Sequence, residues 1–193
     1  AGITCIACHA IEKVNSTRGN GDYTIGEPRH YPFALSASPA LRALSQQLIK
    51  AKPAFHQATF LKPLHRTAEF CSTCHKVHIP GALNQYKDFL RGQNHYDSFI
   101  LSGASGRGAR SFYYPPQAQD RCAGCHMPLT TSRDFGAQPF DASGALQIHD
   151  HRFAGGNTGL PHLRGDTATV AAQQAFLHEA ATLDLFGVRE GGT

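Results

Sequence analysis

The stretch TAEFCSTCHKVHIP, residues 67–80, decides the expected fold of this chain. It contains two cysteines separated by two residues and followed directly by a histidine. The same C-x-x-C-H pattern occurs at residues 5–9 and at residues 122–126. The three motifs use all six cysteines of the chain, and each ends in a histidine: Cys5, Cys8 and His9; Cys71, Cys74 and His75; Cys122, Cys125 and His126.

The C-x-x-C-H spacing suits the covalent attachment of haem. In a short helical turn, two thiols reach the two vinyl groups at one edge of a porphyrin while the adjacent imidazole reaches the iron. Zinc is one alternative, because C-x-x-C is also a common zinc half-site, and a redox-active dithiol is another. Three cysteine pairs do not divide evenly into four-ligand zinc sites, and neither alternative explains a histidine after every second cysteine.

The motifs therefore predict three haem c groups on a chain of 193 residues. The six motif cysteines are the expected thioether donors. His9, His75 and His126 are the expected proximal ligands of the haem irons.

The other histidines are the candidates for the distal side of each iron. The chain has 12 histidines in all, and its single methionine, Met127, is adjacent to His126 and cannot reach the far side of the same haem. We therefore expect mostly bis-histidine ligation, which gives lower reduction potentials than histidine–methionine ligation. The distal candidates are His78, His151, His149, His65, His95 and His56.

His78 lies three residues after His75. The sequence predicts a helix over residues 67–78, which would place both imidazoles on one helical face. Two neighbours on one face cannot bind opposite sides of the same iron. His78 is therefore expected either to bind the iron of a different haem or to lie on the surface.

The segment His149-Asp150-His151 is a second focus of distal candidates. In an extended segment the two imidazoles point to opposite sides, so one can bind an iron while the other faces solvent or another haem. The Asp150 carboxylate is expected to orient one ring N–H, as carboxylates commonly do for metal-binding histidines.

The composition predicts little regular structure. The chain is 41% hydrophobic, has no Trp, and contains 19 Gly and 11 Pro, so long periodic segments are interrupted. We expect a single domain over residues 1–193 that is mainly α with extensive loops, with short helices wrapped around a haem core and little or no β-sheet. Residues 14–32 are expected to be a loop, and the main helices are expected at residues 39–52, 82–101 and 168–186.

The charge pattern gives no support for nucleic-acid binding. The formal charge of +4 falls to about +1 with three ferric haems, each carrying two propionates, and the basic residues are scattered along the chain. No apolar run is long enough for a transmembrane helix. Only four residues precede Cys5, which is too few for a signal peptide, and we expect a mature fragment or a part of a larger multihaem protein.

The three motifs, the C-H-x-x-H extension at residues 74–78 and the many other histidines resemble the multihaem c-type cytochromes. The pattern around His75 and His78 is loosely similar to the lineage of hydroxylamine oxidoreductase and its tetrahaem electron acceptor. The chain has no C-x-x-C-K motif and no fourth or eighth haem motif, so the catalytic haems of that lineage are not carried over.

The resemblance implies an exported protein, periplasmic or extracellular, because haem is attached to C-x-x-C-H motifs outside the cytoplasm. It also implies partners that are redox proteins or other multihaem cytochromes, and possible membership of a larger assembly. The expected function is electron transfer, because a haem with both axial positions filled cannot bind substrate. The alternative is a multihaem oxidoreductase of nitrogen or sulfur compounds with one open haem, with proton delivery by Arg107, Arg110, Tyr113 or His95.

Overall fold

The computed structural model describes residues 3–83, 85, 91–109, 116–178 and 180. Its helices are α1 (Cys5–His9), α2 (Pro39–Ala51), α3 (Pro53–Phe60), α4 (Ala68–His75), α5 (His95–Leu101), α6 (Ala123–His126), α7 (Gly159–Leu163) and α8 (Thr167–Leu177). Short 3₁₀ helices cover Pro63–Arg66 and Gly103–Ser105. The strands are β1 (Ile11–Val14), β2 (Tyr23–Ile25), β3 (Lys76–His78), β4 (Arg91–Asn94), β5 (Leu129–Thr131), β6 (Gln138–Pro139) and β7 (Leu146–His149).

The expectation of a mainly α fold with little or no β-sheet is wrong. The structure is mixed, with 42% helix and 13% strand in three small sheets. Two sheets are antiparallel pairs, β1–β2 and β3–β4, and the third has the strand order β5-β7-β6. No more than two residues separate each motif helix from the strand that follows it, and the three strands belong to three different sheets. The sheets therefore fix the direction in which the chain leaves each motif.

The first sheet occupies part of the segment that the sequence predicted to be a loop. β1 and β2 pair antiparallel, with Val14 opposite Tyr23. The connection contains Gly19-Asn20-Gly21, whose φ angles of 82°, 56° and 72° all lie in the left-handed region. Glycine and asparagine are the residues that adopt this region at least cost. The glycines exclude a helix here, as expected, and mark a turn between two strands.

The turn of residues 19–21 also closes the end of α4. The Asn20 amide donates to the Lys76 carbonyl at 2.9 Å, and the Gly21 amide donates to the Thr73 carbonyl at 2.8 Å. The last carbonyl groups of a helix have no partner within the helix, and here the turn supplies the donors. The Asn20 side chain adds two bonds with the main chain of His78, of 2.9 and 2.8 Å. The first motif's hairpin is therefore fastened to the second motif's helix.

The predicted helix over residues 67–78 is shorter than expected. It starts at Ala68, with the Thr67 hydroxyl accepting from the Phe70 amide, and ends at His75. Lys76 begins β3, in which His78 lies. His75 and His78 therefore do not share a helical face, and that argument for a distal role of His78 is wrong.

The predicted helix over residues 82–101 is also wrong for the described residues before His95. β4 pairs with β3, and α5 begins only at His95. The Asn94 side chain accepts from the Asp97 amide and so starts α5, as asparagine commonly does at a helix N-cap. Residues 84 and 86–90 lie outside the described part of the chain.

Two predicted helix starts are confirmed. α2 has Pro39 at its first turn, and the Asp166 side chain caps α8 by accepting from the Thr169 amide. α8 ends at Leu177, because His178 has extended backbone. The predicted continuation is therefore wrong at residue 178, and residues 179 and 181–193 lie outside the described ranges.

The apolar residues that are buried within the described ranges are small, and most lie in or beside the motif helices. They are Ala10, Ile11, Ala68, Ala123, Ala137 and Ala154. Several larger apolar side chains are exposed: Leu44 of α2 is 47% exposed, and Ile6 within the first motif is 58% exposed. The chain therefore presents apolar surface at its first motif. No helix of the described ranges is long and apolar enough to cross a bilayer.

Replacing Gly19 by alanine tests the tie between the turn and α4. A Cβ atom at Gly19 would overlap the Lys76 carbonyl oxygen, and the φ of 82° disfavours any side chain. We expect Gly19→Ala to lower the free energy of unfolding by about 2 kcal/mol or more, measured by denaturant titration. Gly156→Ala is the control, because a Cβ there meets nothing within 4 Å, and its effect should stay within about 0.5 kcal/mol. Equal effects of the two variants would contradict the tie.

Candidate haem-binding site

The predicted helical turn is present at all three motifs. α1 consists of the first motif, the second motif forms the end of α4, and α6 covers the third motif with Cys122 in helical conformation at its N-cap. Each of the six cysteines, all of which lie in the described ranges, is a free thiol. The thiols of each motif are therefore available for thioether bonds, on the helical geometry that such bonds need.

The three motifs lie close together. Cys71 of the second motif lies next to Cys122 of the third, and the interaction of their side chains raises the pKa of Cys71 and lowers the pKa of Cys122. Burial, followed by the neighbouring Cys74 of the second motif, raises the pKa of Cys8 in the first. Thiols of the second motif therefore lie close enough to thiols of the first and of the third motif to shift their pKa values.

Two of the three proximal histidines have their rings held by main-chain carbonyls. Nδ1 of His9 lies 2.6 Å from the Phe60 carbonyl oxygen, and Nδ1 of His126 lies 2.6 Å from the Ala154 carbonyl oxygen. A carbonyl can only accept, so Nδ1 carries the proton and Nε2 keeps its lone pair. Metal-binding histidines are usually oriented in this way.

His149 and His151 share this arrangement. Nδ1 of His149 lies 2.6 Å from the Met127 carbonyl oxygen, and Nδ1 of His151 lies 2.7 Å from the His149 carbonyl oxygen. The expectation that Asp150 orients one of these rings is wrong, because its carboxylate forms an ion pair with Arg152 and main-chain carbonyls accept from both rings. Two distal candidates therefore present Nε2 as the free nitrogen, as two proximal histidines do.

The ring of His9 has two other imidazoles beside it. The centroid of His65 lies 4.7 Å away and that of His151 lies 6.3 Å away. Nδ1 of His65 lies 3.3 Å from the Lys62 amide nitrogen, and its Nε2 is buried without a hydrogen-bond partner among the described residues. Burial, followed by the proximity of His9, lowers the pKa of His65 to about 4. His65 is therefore neutral at physiological pH.

His75 of the second motif lies against His95. Their ring centroids are 5.5 Å apart and their Nδ1 atoms 3.3 Å apart. The contact follows from the β3–β4 register: Lys76 is opposite Asn94, so the residue before Lys76 meets the residue after Asn94. Burial and then the neighbouring His95 and His126 lower the pKa of His75. The sequence makes His95 a distal candidate but does not indicate which motif it adjoins.

Polar contacts hold this pair of strands in place. Lys76 Nζ and the Asp97 carboxylate form an ion pair of 2.8 Å whose side chains are 16% and 27% exposed. The Gln93 side chain donates to the Cys74 carbonyl at 2.6 Å. The second motif is therefore bonded directly to the segment that carries His95.

The remaining distal candidates are placed differently. His56 lies in an aromatic setting, with the Phe60 ring 4.8 Å away, its Nδ1 is buried without a partner in the described part of the chain, and burial lowers its pKa. His78 is half-buried in β3 and stays a candidate by residue type. Of the residues proposed for proton delivery, Arg107 and His95 are described, whereas Arg110 and Tyr113 lie outside the described ranges.

A cavity of about 300 Å³ adjoins the third motif. Cys125 and His126 line it together with the Asp150–Arg152 ion pair and Phe176 of α8. The ring of Phe176 lies 4.9 Å from that of His126. The third motif therefore borders a space with both apolar and charged walls.

Within the described ranges, no three or more His, Cys, Asp or Glu side chains are grouped as a metal ion would need. Sites of that kind hold zinc with four ligands, whereas a haem iron takes at most two axial ligands from the protein. Comparisons of the chain with protein-family models, with curated proteins and with solved structures found no match. The resemblance to multihaem cytochromes therefore rests on the motifs and histidines described above.

The carbonyls that hold the rings could not be found from sequence. Phe60, Met127 and Ala154 act through main-chain oxygens, and every residue has such an oxygen. Asn20 and Gln93 were missed as well, although each bonds the main chain of the second motif or of the strand after it. Only the turn residues around Asn20 carry a local signal, because Gly-Asn-Gly favours left-handed backbone.

Replacing Asp97 tests whether its ion pair holds the second motif against α5. Asp97→Asn removes the charge that pairs with the poorly exposed Lys76 ammonium, and we expect a loss of about 1–3 kcal/mol in the free energy of unfolding. Asp120→Asn is the matched control, because the Asp120–Arg121 pair is 3.4 Å long and its Asp120 side chain is 83% exposed. That variant should change stability by no more than about 0.5 kcal/mol. An unchanged unfolding midpoint for Asp97→Asn would show that the ion pair does not hold the two segments together.

Proposed function

We propose that this chain is an electron-transfer protein that holds three c-type haems. The observation that carries the proposal is the threefold C-x-x-C-H motif, present each time on a helical turn with free thiols. The residues fit the group: the cysteine pairs would form the thioethers, and His9, His75 and His126 would bind the irons. Haem supplies one-electron redox chemistry.

The chain's own contribution is to orient ligands. Main-chain carbonyls hold Nδ1–H of His9, His126, His149 and His151, which leaves Nε2 of each ring free to bind a metal. A ring fixed in this way loses little conformational entropy on ligation. The arrangement supports ligation of most irons by two histidines.

The close approach of the motifs supports transfer between haems within the chain. The side chains of Cys71 and Cys122 interact, and Cys74 affects the pKa of Cys8, so the second motif lies beside both the first and the third. We propose that electrons are exchanged among the three haems that these motifs would hold, and with a redox partner protein or another multihaem cytochrome. By the same resemblance, the protein is proposed to act outside the cytoplasm, in the periplasm or extracellularly, as one part of a larger assembly.

A second candidate function is a multihaem oxidoreductase. The cavity of about 300 Å³ beside Cys125 and His126 favours it, because it places the Asp150–Arg152 pair next to a proximal histidine. A guanidinium and a carboxylate there would bind and orient a small anionic or polar nitrogen or sulfur compound. This function requires one iron without a second histidine.

Counting the bound haems tests the first requirement of both functions. We expect intact-protein mass spectrometry to show three covalently added haems on the exported protein, and pyridine haemochrome titration to give three haems per chain. A Cys122→Ala/Cys125→Ala variant is the control and should carry two. A chain that carries no haem, or that contains zinc by elemental analysis, would exclude the proposal.

The spin state of the ferric protein separates the two functions. We expect ultraviolet–visible and EPR spectra in which most or all of the irons are six-coordinate and low-spin, because nitrogen ligands on both sides give a strong field. Addition of cyanide should then change the spectrum slowly and incompletely. A high-spin signal from one iron, converted at once by cyanide, would instead support the oxidoreductase.

A further inference from the structure

The segment Asp150-His151-Arg152-Phe153-Ala154, called the bridging turn below, lies between the first and the third motif. The ring centroid of His151 is 6.3 Å from that of His9. Three residues later, the Ala154 carbonyl accepts from Nδ1 of His126 at 2.6 Å. One short turn therefore contacts the proximal histidines of two motifs.

The bridging turn has a strained backbone that is held by local bonds. Phe153 has a φ of 51°, a left-handed conformation that costs a bulky residue about 1 kcal/mol or more. The Arg152 amide donates to the Asp150 carboxylate at 2.9 Å, and the Arg152 guanidinium pairs with the same carboxylate. Strain of this kind persists where the surrounding structure requires a particular geometry. Here the geometry places His151 and the Ala154 carbonyl at the same time.

Distances distinguish the two imidazoles beside His9. An imidazole nitrogen lies about 2 Å from the metal that it binds, so two rings on opposite sides of one iron have centroids roughly 6 Å apart. The separation of 6.3 Å between His9 and His151 fits this span, whereas the 4.7 Å between His9 and His65 is too short.

The positions of the ring protons give the same answer. Nδ1 of His151 donates to the His149 carbonyl, so its Nε2 has a free lone pair. Nδ1 of His65 lies 3.3 Å from the Lys62 amide nitrogen, whose hydrogen it accepts. A ring that accepts a hydrogen bond at Nδ1 carries its proton on Nε2 and has no lone pair there to offer a metal.

We propose that His151, and not the nearer His65, is the distal ligand of the haem held by Cys5, Cys8 and His9. This assignment rests on the proposed function. It means that the bridging turn ligates the first haem and orients the proximal histidine of the third. A displacement of the turn would then affect both haems together.

The test labels the first haem and removes each candidate in turn. In a Cys8→Ala variant the first haem keeps one vinyl group, which shifts its absorption band away from those of the other two. His151→Ala and the control His65→Ala are made in this background, and ferric spectra are recorded by absorption and EPR. We expect His151→Ala to convert the labelled haem to high spin, with loss of one third of the low-spin EPR intensity. His65→Ala should leave all haems low-spin.

Added imidazole separates ligation from a structural role. If His151 is the ligand, free imidazole should enter the space left in His151→Ala and restore the low-spin spectrum of the labelled haem. If His151→Ala is not recovered with all haems, His151→Met takes its place, and we expect a sulfur-to-iron charge-transfer band and a higher potential for the labelled haem alone.

Three outcomes overturn the assignment. In the first, the labelled haem stays low-spin in His151→Ala or keeps a bis-histidine spectrum in His151→Met. In the second, the high-spin signal of His151→Ala comes from an unlabelled haem. In the third, the labelled haem turns high-spin in His65→Ala. Failure of the proposed function is seen separately, because mass spectrometry of the unmodified chain would then show no covalent haem. A chain with three haems and an unaffected labelled haem contradicts the role of His151 alone.

Discussion

The described structure depends on the bonds between the turn of residues 19–21 and the end of α4. The amides of Asn20 and Gly21 donate to carbonyls at the end of this helix, where a helix has acceptors without partners. The same contact places β1 and β2 of the first motif's hairpin against the second motif. Because β3 starts directly after α4, the contact also fixes the strand from which the second sheet is built.

Ring orientation by main-chain carbonyls is the second recurring feature. Four imidazoles donate Nδ1–H to carbonyl oxygens at 2.6 to 2.7 Å. Two of these rings belong to C-x-x-C-H motifs, and two belong to the segment of residues 149–151. A main-chain acceptor is already positioned by the fold and needs no further side chain. The arrangement therefore leaves the Asp150 carboxylate free to pair with Arg152.

Electron transfer and oxidoreductase activity make different demands on what lies beside each motif histidine. The first motif has His65 and His151 beside its histidine, and the second has His95. The third motif borders the cavity lined by Asp150, Arg152 and Phe176. A haem with both axial positions filled can transfer electrons but cannot bind substrate, whereas catalysis at the iron needs one side open. The third motif is therefore the place where the two functions separate.

The sequence by itself determined the features that depend on neighbours along the chain. The C-x-x-C-H motifs and their helical turns are of this kind, since thioether and imidazole must come from within five residues. The starts of α2 and α8 at Pro39 and Asp166 are as well, because proline and aspartate act on the adjacent turn. The distal candidates could be counted from the sequence, but it gave no rule for assigning them to motifs.

Only the tertiary structure decided which residues meet across long separations. The β3–β4 register brings His75 to His95, and the bridging turn brings His151 to His9. The three small sheets were missed because their strands are two to four residues long, too short for alternation to be visible. Long-range bonds such as that between the Asn20 amide and the Lys76 carbonyl were missed as well. Such contacts depend on where the backbone lies in space, and the physical reason that they escape sequence analysis is that any residue can supply a carbonyl oxygen.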